Sequence, residues 1–94
     1  MTKSEVVNAI RVVMSDVINE CYRRTHTVPE KDRVYIYQIS EEAEHLMEEL
    51  MSEAFEVKQI EGYSNDHPKI IEIKRRLDKK SMDYLNQLYS LAHH

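Results

Sequence analysis

From Ile36 to Ile60 the chain carries a heptad ladder that steps through Ile39, Ala43, Leu46, Leu50, Glu53 and Val57. A three-four spacing held over such a span sets these side chains on one stripe of a helix, a seam that must be buried against other helices. The single charged rung, Glu53, is costly there unless it pairs with a base or lies where the seam opens to a partner chain. Upstream, Val7, Ile10, Met14, Val17 and Cys21 form a second stripe behind Thr2-Lys3-Ser4-Glu5, which reads as a capping box. Downstream, Ile70, Ile73, Leu77, Tyr84, Leu88 and Leu91 form a third.

With one glycine and two prolines, the backbone has few places to turn sharply. Thr27-Val28-Pro29-Glu30 is the first, with Thr27 as a candidate N-cap and Pro29 in the first turn of a second helix. A competing reading keeps Val34-Tyr35-Ile36-Tyr37 extended, because these residues favour strands, and starts the helix at Ser40. The long helix is preferred because Ile36 and Ile39 stay in phase with the ladder. Gly62 suits a left-handed C-cap, and Ser64-Asn65-Asp66-His67-Pro68 reads as a turn and cap before the third helix. Strands are not expected. The reading is all-α: a single helical domain over 1–94, with helices at about 3–24, 30–61 and 67–91. Short connections favour an antiparallel three-helix bundle, or equivalently a helical hairpin with an extra N-terminal helix. A hairpin at Gly62 is expected to bring Glu48, Glu49 and Glu53 near Lys74, Arg75 and Lys79.

At 94 residues the chain has little core to spare, so a partner or self-association into a homo-oligomer is in prospect. Charged residues make up 32% of it and the net charge is -4, which offers no bulk attraction for phosphate backbones or anionic membranes. Lys74, Arg75, Arg76, Lys79 and Lys80 would suit nucleic acid in isolation, but acidic neighbours are expected to neutralise much of the cluster, so nucleic acid is not the expected partner. No apolar run reaches membrane-spanning length, and the opening residues are too acidic for a secretion signal. The lone Cys21 falls on an apolar stripe and fits a reducing compartment, so the expectation is cytoplasmic. His93 and His94 resemble the stub of a purification tag and enter no site.

Glu42-Ala43-Glu44-His45 holds a Glu-x-x-His spacing of the kind used by di-metal bundles, but such a site needs the motif twice. Here it occurs once. His26 and His67 lie in turns, so no zinc set emerges and no metal or cofactor is expected. The acidic run from Glu41 to Glu56, followed by Asp78 and Asp83, invites comparison with magnesium-dependent helical pyrophosphatases, yet Lys79 and Lys80 stand where a second carboxylate is required. Six tyrosines (Tyr22, Tyr35, Tyr37, Tyr63, Tyr84 and Tyr89) are read first as rings sealing the bundle and second as a recognition surface. Met47, Met51 and Met82 are read as gap fillers.

The stretch His67-Pro68-Lys69-Ile70-Ile71-Glu72-Ile73-Lys74-Arg75-Arg76-Leu77-Asp78 resembles the second helix of the sporulation stage-zero regulatory phosphatases. These small helical-hairpin proteins of spore-forming bacteria carry Ser-Gln-Glu-Leu-Asp on that helix. Leu77 and Asp78 match the last two motif positions, whereas Lys74, Arg75 and Arg76 do not match the first three. A weaker echo lies in Ile39-Ser40-Glu41-Glu42-Ala43-Glu44, where Glu44 replaces the aspartate. The chain thus reads either as two overlapping hairpins sharing the middle helix or as one hairpin with an added helix. The resemblance implies a response regulator as protein partner, with Asp78 first and Glu44 second as the catalytic residue that orients water onto an aspartyl phosphate. The docking face is expected to include Arg75, Arg76, Leu77 and Tyr84. The non-enzymatic alternative is a helical interaction module, such as a phage- or plasmid-type inhibitor or a self-associating assembly protein.

Overall fold

In a computed structural model, which describes residues 3–57 and 67–91, the three apolar stripes become three helices. Helix α1 spans Lys3–Thr25, α2 spans Arg33–Glu56 and α3 spans Pro68–Leu91, with a 3-10 turn at Glu30–Asp32. No strand occurs among the described residues, and no helix is long and apolar enough to cross a membrane.

Helix α1 buries Val6, Val7, Ile10, Met14, Val17 and Cys21. Its last carbonyls are satisfied locally: Thr25 Oγ1 donates to the Tyr22 carbonyl at 2.5 Å, and Thr27 Oγ1 and the Val28 N–H donate to the Arg24 carbonyl at 3.2 and 3.1 Å. Thr27 therefore closes α1 and does not cap α2, because its hydroxyl is already spent on the helix before it. The buried Val28 then pins the connection to the core.

Pro29 follows in an extended conformation (φ -57°, ψ 149°), and the Asp32 N–H returns to its carbonyl at 2.9 Å, closing the 3-10 turn. Helix α2 thus begins at Arg33, after the proline's turn, and Val34–Tyr37 is helical. The fully buried Ile36 explains why: as helix it joins Ile39 and Ala43 in the core, and that burial outweighs the strand preference of its neighbours. At the far end α2 stops at Glu56, short of the expected 61. Val57 leaves the helix in an extended conformation (φ -74°, ψ 116°) and packs its side chain into the core. Gly62 and the expected turn as far as Asp66, as well as Ile60 and Tyr63, lie outside the described residues.

The seam of α2 is Ile36, Ile39, Ala43, Leu46, Leu50 and Ala54. Beyond Leu50 the inward position falls to Ala54 and not to Glu53, because a straight helix with 3.6 residues per turn drifts about 20° per heptad away from a strict seven-residue repeat. In α3 the buried stripe is Ile70, Ile73, Leu77, Ser81, Tyr84 and Leu88. Ser81 can occupy a core position because its hydroxyl donates to the Asp78 carbonyl at 3.1 Å. At the start of α3, Pro68 occupies the first helical position, where its missing N–H costs nothing. His67 caps the helix, with Nδ1 accepting the Lys69 N–H at 3.1 Å.

The helices run up, down and up. Glu53, late in α2, meets Lys69, early in α3, while Arg24, late in α1, lies over the Tyr89 ring late in α3. Helices α1 and α3 are therefore parallel and α2 is antiparallel to both. One continuous core joins all three in a rod of 47 × 17 × 14 Å.

Candidate functional site

Asp78 stands exposed on the rim of a groove of about 170 Å³ between α1 and α3. Val6, Ala9 and Val13 line one side and Ile70, Ile73 and Leu77 the other, with Lys74 beside Asp78 on the rim. Glu44 is also exposed but sits on α2, which contributes nothing to this groove, so the two expected catalytic carboxylates are not brought together. Leu77 is 4% exposed and belongs to the core, so it contributes to the floor of this groove and not to an outward-facing surface. It occupies the inward rung between Ile73 and Ser81, the position that packs the bundle.

A second, polar groove of about 590 Å³ runs between α2 and α3. Glu42, His45 and Glu49 form its α2 wall, Arg75, Arg76, Lys79 and Lys80 its α3 wall, and the largely buried Tyr84 reaches it. Burial, then the charges of Glu42 and Asp83, push the Tyr84 phenol above its ordinary value, so it stays a neutral hydroxyl. The ion pairs across the helices differ from those expected. Arg76 Nη1 donates to Glu53 at 2.6 Å and its Nη2 to Glu49 at 3.1 Å, while Lys69 Nζ donates to the other Glu53 oxygen at 2.7 Å. Helix phase is the reason: Arg76 and Lys69 lie on the flank of α3 that faces α2, and Lys74 lies on the flank that faces α1. Neutralisation by acids reaches Arg76 and Lys69, whereas Lys74, Arg75, Lys79 and Lys80 make no ion pair among the described residues. His45 lies 3.9 Å from Glu41 at the surface, and no group of three or more metal-ligating side chains gathers among the described residues.

The tyrosines define a third feature. Tyr84 alone of those described is buried. Tyr22, Tyr35, Tyr37 and Tyr89 are 69%, 53%, 59% and 48% exposed, against the expectation that they seal the core. All four sit at one end of the rod, at the close of α1, the opening of α2 and the close of α3. Tyr22 meets His26 edge to face at 5.1 Å, Arg24 lies 4.8 Å over the Tyr89 ring, and Glu20 holds Arg24 at 2.7 Å. A cleft of about 260 Å³ opens beside them, lined by Tyr35, Ile39, Gln87, Ser90 and Leu91. The signal is present in the sequence: Tyr22, Tyr35, Tyr37 and Tyr89 each sit one residue from a buried rung, about 100° around the helix from it. Tyr35 and Tyr37 bracket Ile36, so neither can share its direction. Of the expected gap fillers, Met47 and Met51 pack against the core while Met82 is 57% exposed. Cys21 is buried, and burial followed by the charge of Glu20 pushes its thiol up to about 11.

No family model, no curated protein and no solved structure matches this chain.

Proposed function

We propose that this chain is a small regulatory protein that docks onto a partner protein, using the tyrosine-bearing end of the bundle as its recognition surface. The observation that carries this reading is the gathering of Tyr22, Tyr35, Tyr37 and Tyr89, all exposed, at one end of the rod, where Tyr35 lines a cleft. Tyrosine gives large, rigid contact area with a polar tip and is enriched at protein interfaces. The buried, un-ionised thiol of Cys21 suits a reducing compartment, and the proposed location is the cytoplasm. The test is capture with the full chain as bait: Tyr35→Ala with Tyr37→Ala should lose a specific partner that Lys79→Ala, on another face, retains. Identical captures by both would sink the docking role of this end.

A catalytic reading rests on Asp78, whose exposed carboxylate makes no hydrogen bond or ion pair among the described residues. On this reading a response regulator supplies the metal and the aspartyl phosphate. Asp78 accepts a hydrogen bond from water and aligns it with phosphorus; attack breaks the acyl P–O bond and releases inorganic phosphate and the free aspartate. Incubated with phosphorylated response regulators, the protein should speed loss of phosphate, and Asp78→Ala should reduce that acceleration roughly 10²-fold. Undiminished acceleration would remove Asp78 from the chemistry.

A further inference from the structure

We infer that the groove between α1 and α3 seats a second copy of this chain, with the two α3 helices antiparallel across a two-fold axis. The groove is walled by apolar side chains, and Ile71 and Met82, 52% and 57% exposed, extend that apolar character outward along α3. Ile71, Lys74, Asp78 and Met82 follow one another at three- and four-residue steps, which keeps them on one flank of the helix.

What covers this flank is indicated by its charges. Lys74 and Asp78 are one turn apart on the same rim, yet they form no ion pair with each other or with any described residue. A lysine placed before its acid is the weaker orientation on a helix, consistent with the gap between them. The flank reads apolar, basic, acidic, apolar. Laid against itself in the opposite direction, it sets Lys74 on Asp78 of the second copy, Asp78 on Lys74, and each Ile71 beside a Met82. A parallel pairing would instead oppose lysine to lysine and acid to acid. Such an order is self-complementary, which is what an isologous contact requires, since each residue must complement what its own copy presents. With a net charge of -4 opposing self-association at long range, local matching of this kind is needed.

This inference is independent of docking through the tyrosine end, which uses the other end of the rod. It competes with the catalytic reading of Asp78, because a carboxylate held by Lys74 of a second copy cannot also orient water. Sedimentation equilibrium of the full chain over rising concentration should show a monomer–dimer equilibrium. Lys74→Asp and Asp78→Lys, both at exposed positions and checked for unchanged helicity by circular dichroism, should each weaken dimerisation about tenfold or more through two like-charge contacts. Mixed together, the two variants should associate again, because one then presents acids at both positions and the other presents lysines at both. A wild type that stays monomeric throughout, a dimer indifferent to both changes, or a mixture that fails to associate would each overturn the inference.

Discussion

Glu53 turns from a defect in the ladder into a junction because α3 brings two cations to it. The hydrogen bond from Lys69, joined by that from Arg76, holds its carboxyl below the ordinary glutamate range, against an opposing push from burial. The sign of the consequence follows from linkage: with the folded pKa lowered, the unfolded chain takes up the proton first as pH drops. Stability from this junction is complete above the ordinary glutamate range and is lost as pH falls through the lowered folded value. Glu53→Gln should therefore melt earlier than the parent at neutral pH, and the two melting curves should converge in acid. A melting difference that persists undiminished at low pH would assign the effect to packing. The residue is visible in the sequence as a charge needing a partner. Its partners are not, since choosing Lys69 and Arg76 over Lys74 and Lys79 depends on how α3 is rotated about its own axis.

At the level of helices, the apolar stripes are what the sequence states most clearly, because a period near 3.6 can be satisfied only by burying one face. The ends of helices are less legible, since they answer to local hydrogen bonds. Thr27 reads as the start of α2 but its hydroxyl finishes α1, and Pro29 delays α2 by a 3-10 turn. Leu77 shows the same limit at the candidate site: matching a motif position says nothing about which way the side chain faces. The cap of α3 offers a direct check. The His67 imidazole accepts one backbone N–H there, and an aspartate would add a negative charge beside the positive end of the helix dipole. His67→Asp should stabilise the protein by roughly 0.5–1 kcal/mol in thermal or urea unfolding, and His67→Ala should destabilise it. No gain from aspartate would mean that the imidazole makes contacts beyond its capping bond.

For the molecule as a whole, the all-α class follows from the stripes, but the concentration of exposed tyrosines at one end does not. That depends on α1 ending, α2 beginning and α3 ending at the same place, a property of chain direction. The same directions decide how the fold would respond to force. Because α1 and α3 are parallel, handles at Ser4 and Ser90 pull from opposite ends of the rod, so the helices must slide lengthwise and strain many core contacts together. Handles at Ser4 and Glu56 grip neighbouring ends, since Ser4 and Phe55 border one cleft, and would peel α1 from α2 turn by turn like a zipper. In an optical trap the first geometry should rupture abruptly at high force and the second should open gradually at lower force, making this small bundle stiff along its length and weak across it.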